Sequence, residues 1–251
     1  KKIIYVGAGL WGNERWSTND AVKIGNALEK FYPNRTVIKI ILSNDEKKKL
    51  PDIYPSTLYL PTVAKEVERF YKKDDLIVIG LYSHGSKGML VARPGGKGHK
   101  GSAVKADYIK KYILKRLGVD NSKVVLILSA CYSGSLVKPL QHRNLVIATS
   151  ADSDKVSFGC GNNSTNTFYA SALVSELTRR KSSKTYSIVN ALEEARRTVQ
   201  SMEAQKGYPR SNPQLVVGKN FNDRVPKEIS LKNIGEPSLR SANYLFESQV
   251  E

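Results

Sequence analysis

The chain is expected to fold as an α/β protein built on a mainly parallel, six-stranded sheet with helices on both faces, and three observations lead there. Short, β-branched apolar runs of strand length alternate with amphipathic helical segments along most of the sequence. Two of these runs, LIVIGLYSHGSKG (76–88) and VVLILSACYSGS (124–135), break off abruptly in small and polar residues. The breaks deliver His84 and Cys131 at the carboxyl ends of successive strands, where open parallel sheets gather their chemistry.

In order, residues 3–6 form the first strand and about 19–31 the first helix, capped by Ser17 or Thr18 and ended by Pro33. The second strand is 37–42. The stretch 43–57, polar and rich in lysine and proline, is expected to be a long loop. Pro61 suits the first turn of a helix reaching about Tyr71, and 76–81 is the third strand. A helix over 103–117 precedes the fourth strand at 124–128, and the fifth is 145–149. Helices over about 166–179 and 186–205 follow, the second with apolar Ile188, Val189, Leu192, Ala195 and Val199 at helical spacing. A short sixth strand, 215–217, comes after SNPQ. One domain is expected over 1–220, without internal repeats, and 221–251 reads as a C-terminal extension of little periodicity.

Composition narrows the function classes. At 251 residues, 40% hydrophobic and 25% charged, the chain is of ordinary globular character and long enough for a sizeable core. No apolar run approaches the length of a membrane span, so none is expected. The sequence opens directly on a strand, KKIIYVGAG, without an initiator methionine or signal-peptide core. It reads as a trimmed or processed form, compatible with a secreted or periplasmic destination. A net charge of +17 favours weak association with polyanions or anionic lipid surfaces, although no nucleic-acid motif accompanies it. The basic stretch 105–116 is interleaved with Ile109, Tyr112, Ile113 and, just beyond it, Leu117, as the solvated face of a helix would be.

Two cysteines, Cys131 and Cys160, exclude a disulfide framework and a Cys-rich zinc module. A bridge between them would consume the candidate nucleophile, and Cys160, behind Phe158 and Gly159, reads as a packed, inert thiol. His84, His99 and His142 are too scattered for a metal-ligand spacing, so no metal and no cofactor are expected. GAGLWG (7–12), with Asp45 after the second strand, matches a dinucleotide fingerprint. That fingerprint needs its last glycine in the opening turn of a helix, whereas NERWST intervenes here.

For Cys131 to attack a carbonyl it must be a thiolate, set where backbone N–H groups can meet an oxyanion. The residues after it, YSGS, permit a tight turn into a helix start whose dipoles favour negative charge. His84 would supply the proton for a departing amine, and Gly85 leaves its N–H open to an oxyanion. The peptide would lie between sulfur and imidazole, so a dyad suffices and no third, orienting carboxylate is required.

These motifs carry a family resemblance. SHG after the third strand and SACYSGS after the fourth resemble the histidine and cysteine motifs of the legumain-like cysteine peptidases, which include the glycosylphosphatidylinositol transamidase catalytic subunit. IATSADSDKVSFGC (147–160) and SNPQLVVG (211–218) are similar to the fifth- and sixth-strand regions of bacterial members. The resemblance spans about residues 3–218. It implies a three-layer α/β/α sandwich of the caspase-haemoglobinase type and a cysteine endopeptidase acting on peptides or proteins. In it Cys131 is the nucleophile, His84 the acid and base, and the amides of Gly85 and Cys131 the oxyanion hole.

The specificity pocket matches less well. Arg15 fits the arginine of asparagine-specific members after a one-residue adjustment, but Ser129 stands where those members carry glutamate and Asn163 where they carry aspartate. Arg15 would suit an acidic P1 side chain; Asp154, or Asp152, turned inward would suit a basic one. Ser150, at the end of the fifth strand, would bond a P1 side chain or cap a turn. The glycine- and lysine-rich loop 93–102, with His99, reads as a flexible surface loop. The same dyad would serve a transamidase or peptide ligase if an amine intercepted the acyl-enzyme, and a blocked site would leave a silent binding module. Oligomeric state is left open by the sequence.

Overall fold

The computed structural model describes residues 1–44, 56–96, 98–161, 163–183 and 185–221. Most of the predicted long loop, Asp45, and the extension from residue 222 onward lie outside the described residues. The central sheet is made of β1 (Ile3–Gly9), β2 (Val37–Ser43), β3 (Leu76–Tyr82), β7 (Lys123–Ser129), β8 (Leu145–Thr149) and β9 (Leu215–Val217), in the order β2-β1-β3-β7-β8-β9. All neighbours pair in parallel except β9, which runs antiparallel to β8. A second, antiparallel sheet comprises β4 (His84–Ser86), β5 (Met89–Ala92) and β6 (Ser102–Lys105).

Alternation along the strands divides the core in two. Ile4, Val6, Ile77, Ile79, Val124 and Leu126 pack beneath α2 (Ser56–Phe70), α3 (Ala106–Ile109) and α4 (Val137–Leu140). Ile3, Tyr5, Val78, Val125 and Ile127 pack beneath α1 (Trp16–Phe31), α5 (Phe168–Arg179) and α6 (Ile188–Gln205). Because both faces are covered, these strands read as continuous apolar runs rather than alternating ones. On the second face, Tyr5 donates to the Ala21 carbonyl at 2.8 Å and its hydroxyl lies 2.9 Å from that of Tyr82. Gly7 and Gly80, opposite each other in the ladder, leave room for these rings: a Cβ at Gly80 would lie 2.1 Å from the Tyr82 hydroxyl.

Several expectations are corrected. Helix α1 begins at Trp16, so Ser17 and Thr18 are inside it and cap nothing; Ser17 donates to the Trp11 carbonyl and Thr18 pairs with Ser43. Pro61 lies within α2 rather than in its first turn, since that helix starts at Ser56. The helix placed over 103–117 is only α3, followed by a π-turn over Lys110–Leu114; Ser102–Lys105 pair instead with β5. Val104 is buried in that pairing, a tertiary contact that overrides local helical spacing. The ends of the 93–102 loop are tied down, because Arg93 bridges to Trp11 and donates through Nε to the His99 carbonyl at 3.0 Å. Among the described residues, no helix is long and apolar enough to cross a membrane.

Asp20 joins α1 to the start of α5. Fully buried, it accepts from Asn166 Nδ2 (2.9 Å) and from the Thr167 amide (3.1 Å) and hydroxyl (2.7 Å), and Thr167 in turn caps α5. Burial outweighs these bonds and raises its pKa to about 7. The folded state therefore binds a proton that the unfolded chain, near 3.8, has already released. Stability from this group is complete below about pH 4 and is lost as pH rises through about 7, with a limiting slope of about 1.4 kcal/mol per pH unit. Asp20→Asn is expected to flatten that decline, so that melting temperatures of mutant and wild type, followed from pH 4 to 8, diverge in favour of the mutant at the alkaline end.

Candidate active site

The ladder between β3 and β7 sets the site. Tyr82 pairs with Ser129 across parallel, in-register strands, and Ser83 extends the ladder by donating to the Ser129 carbonyl at 3.0 Å. His84 and Cys131 each follow two residues later, so they leave the sheet at the same level on strands about 4.8 Å apart. Gly85 belongs to the same junction: a Cβ there would come within 2.5 Å of the Cys131 carbonyl oxygen, so only glycine lets the hairpin lie against the thiol loop. Ser135 closes it from the other side, accepting from the Gly88 amide at 2.8 Å.

The imidazole of His84 is held by the loop between β1 and α1. Its Nε2 lies 3.2 Å from Oε2 of Glu14, and the same oxygen accepts the indole N–H of Trp16. The ring is met edge-on by Trp11 (centroids 4.6 Å apart, planes at 82°) and by Trp16 (5.3 Å, 85°). That loop is fixed by Arg93, which donates to the Leu10 carbonyl and accepts from the Gly12 amide, both at 2.8 Å, and by Asn44, whose side chain donates to Leu10 at 2.9 Å.

Around Cys131 the backbone is heavily committed. Tyr132 takes a left-handed conformation (φ 59°) and donates its amide to Lys155; Gly134 donates to Ala151 and Ser135 to Tyr132. Among the described residues the Cys131 amide has no such partner. The Ser157 amide donates to the sulfur at 3.3 Å, and the Ser157 hydroxyl and carbonyl both lie 3.7 Å from it. Cys160 reaches the same carbonyl at 3.8 Å. The two thiols are free and half-buried. Both lie against the Ser157 carbonyl. The Cys160 thiol, then the Ser157 amide and hydroxyl and the nearby His84, favour a thiolate at Cys131 against its burial and lower its pKa to about 5. The thiol of Cys160 is pushed strongly upward by its neighbour's negative charge and by burial.

The remaining candidates are placed as follows. Ser129 is buried, with its hydroxyl 3.5 Å from that of Thr167. Ser150 is also buried; it accepts from the Ala130 amide at 2.9 Å and donates to the Ala130 carbonyl at 3.1 Å, gripping the chain just before Cys131. Arg15 is exposed at the N-cap of α1. Asp154 faces solvent and pairs with Lys155 at 3.8 Å, and Asp152 bonds to Gln214. A polar cavity of about 510 Å³, lined by Asp152, Glu193, Arg196 and Gln214 among others, lies beside β9, apart from both Cys131 and His84. Among the described residues, no group of three or more His, Cys, Asp or Glu is placed to hold a metal ion. Sequence reasoning missed Glu14, Trp11, Trp16 and Ser157. Cys160 it noticed, but as an inert packed thiol. The adjacency of NER to the first strand was the one available signal for Glu14, and Arg15 drew the attention instead.

A mainly parallel six-stranded sheet covered by helices on both faces is a caspase-like fold. Caspase-1 from Spodoptera frugiperda shares the fold, with a TM-score of 0.55 over 86% of this chain and 86% of that one at 16% identity. The peptidase C13 family profile matches residues 65–224, and the chain belongs to that family, the legumain family. It is a cysteine-type peptidase, a hydrolase of peptide or protein substrates. No curated protein matches the sequence.

The depressed pKa has a direct chemical consequence. Alkylation of Cys131 by iodoacetamide, followed by mass spectrometry, is expected to persist to lower pH than that of an ordinary cysteine, and more readily than that of Cys160. Cys160→Ala is expected to move the Cys131 profile back towards higher pH.

Proposed function

We propose that the protein is an endopeptidase working through Cys131, His84 and a thioacyl-enzyme intermediate. The observation that carries this reading is the in-register pairing that brings His84 and Cys131 off neighbouring strands at the same level, with the Ser157 amide donating to the sulfur at 3.3 Å. The thiolate attacks the scissile carbonyl carbon and forms the C–S bond. The amides of Gly85 and Cys131 receive the oxyanion; the lack of a backbone partner for the Cys131 amide among the described residues supports that role. His84, as imidazolium, gives its proton to the leaving nitrogen as the C–N bond breaks. A water then loses a proton to His84 and attacks the thioester, breaking the C–S bond and releasing the carboxylate product.

For the P1 side chain, an acidic residue is favoured. Arg15 is exposed beside Glu14 and makes no ion pair among the described residues, whereas Asp154 is turned to solvent and engaged by Lys155. A guanidinium offers a bidentate partner to a carboxylate.

A fluorogenic peptide library varied at P1 tests both parts. Cys131→Ala is expected to abolish turnover and His84→Ala to lower kcat by at least about 10²-fold. Peptides with Asp or Glu at P1 should be preferred, and Arg15→Ala should erase most of that preference. Turnover that survives in Cys131→Ala would overturn the mechanism, and a preference for Lys or Arg at P1 would overturn the role of Arg15.

A further inference from the structure

We propose that Cys131 and Cys160 form a redox switch, in which a hydroperoxide oxidises the Cys131 sulfur and Cys160 closes a disulfide onto it, shutting the site reversibly. The loss of activity rests on the reading of Cys131 as the nucleophile; the cross-link itself does not. Its basis is geometric. The two free, half-buried thiols meet at one carbonyl oxygen, that of Ser157, with the Cys131 sulfur 3.7 Å and the Cys160 sulfur 3.8 Å from it. The sequence holds no other cysteine, so each sulfur has one intramolecular partner.

The local fold builds this meeting. The Tyr132 amide donates to the Lys155 carbonyl at 2.7 Å, which lays the second loop across the thiol loop, and the Ser157 amide then reaches the Cys131 sulfur at 3.3 Å. Gly159 takes a left-handed conformation (φ 84°), and a Cβ there would lie 2.8 Å from the Phe168 amide nitrogen, so the reversal requires glycine. The reversal carries Cys160 back to the carbonyl of Ser157, three residues before it. Among the described residues, no backbone carbonyl accepts from the amides of Gly159 or Cys160. Side-chain rotation and a shift of this loosely bonded stretch bring the sulfurs to the about 2.05 Å of an S–S bond.

The order of reaction follows from the surroundings. The Cys160 thiol, against burial, and then the Ser157 amide and hydroxyl favour a thiolate at Cys131, so that sulfur reacts first. The thiolate attacks a peroxide oxygen: the S–O bond forms, the O–O bond breaks, and the departing oxygen takes a proton and leaves as water or an alcohol. Cys160 then gives up its proton and attacks the Cys131 sulfenic acid. The S–S bond forms, the S–O bond breaks, and hydroxide leaves with that proton as water. Two electrons have passed from the paired sulfurs to the peroxide. A dithiol reverses the closure, whereas a sulfinic acid on Cys131 would not be recovered, so Cys160 also protects the nucleophile from further oxidation.

The test treats the reduced full chain with hydrogen peroxide, blocks remaining thiols with iodoacetamide under denaturing conditions, and maps peptides by mass spectrometry without reduction. Wild type is expected to lose two hydrogens in mass, to give a cross-linked peptide pair containing Cys131 and Cys160, and to lose most of its peptide turnover. Dithiothreitol should then restore most of the turnover. In Cys160→Ala, and in Cys160→Ser should the alanine variant fold poorly, peroxide should instead leave sulfinic or sulfonic acid on Cys131. Dithiothreitol should then recover a much smaller share of each variant's own untreated rate.

Wild type in which Cys131 is oxidised beyond the sulfenic acid without any cross-link to Cys160 would overturn the inference. So would cross-links between chains only, or recovery in the Cys160 variants equal to that of wild type. A wild type that turns over no peptide, or a Cys131→Ala variant as active as wild type, would instead remove the proposed peptidase mechanism, and the peptide map would still decide whether the two sulfurs join.

Discussion

The parallel, in-register pairing of β3 with β7 is the constraint on which the rest of the site depends. Two strands that start level also end level, so side chains two residues past Tyr82 and Ser129 emerge together at the carboxyl edge of the sheet. The pairing is secured far from the chemistry by residues such as Ile77, Ile79, Val124 and Leu126, all essentially sealed from solvent. A one-residue slip would exchange the residues of the two faces, break the fit of Gly7 and Gly80 against the Tyr5 and Tyr82 rings, and separate the imidazole from the thiol. Register is therefore fixed by packing within the two core layers, and the alignment of the site follows from it without any contact between His84 and Cys131 being needed to enforce it.

What surrounds that edge consists of clamps built from short polar side chains. Ser150 grips both backbone groups of Ala130; Ser135 joins the thiol loop to the β4–β5 turn; Ser157 offers its amide to the sulfur. Each serine spends its hydrogen bonds on backbone that would otherwise be free to move, so the loop carrying Cys131 is immobilised although it lies beyond regular structure. Ser129 and Ser150, which the sequence offered as contacts for substrate, are buried parts of this framework. The same logic explains Gly85, where the absence of a side chain lets two backbone segments touch.

Electrostatically the site separates two like groups. Cys131 and Cys160 sit on the same carbonyl, and two thiolates side by side would repel, so ionisation of one sulfur opposes that of the other; the Ser157 amide favours the charge on Cys131. Helix dipoles play a smaller part than the sequence suggested. The turn after Cys131 is a short 3₁₀ segment over Ser133–Leu136, and most of its amides are already bonded, whereas the Ser157 amide, from a different loop, points at the sulfur. On the other side of the substrate position, the β1–α1 loop confronts His84 with an acceptor and two indole walls.

The sequence by itself determined the strand order of chemistry. Apolar runs at 76–81, 124–128 and 145–149 were legible because a strand buried on both faces must be apolar throughout, and the small residues after them marked His84 and Cys131. The helices over 168–179 and 188–205 were legible for the same kind of reason, a local periodicity enforced by one buried face. The hairpin β4–β5–β6 was not, because its strands gain their stability from pairing with each other across a turn rather than from a local pattern. Nor were Glu14, Trp11, Trp16, Ser157 and the contribution of Cys160, which come from the β1–α1 connection and the first turn of α1, about 70 residues before His84, and from the segment that begins 26 residues after Cys131. Their roles depend on distances between backbone segments, and such distances are set only when the whole sheet has closed around its core.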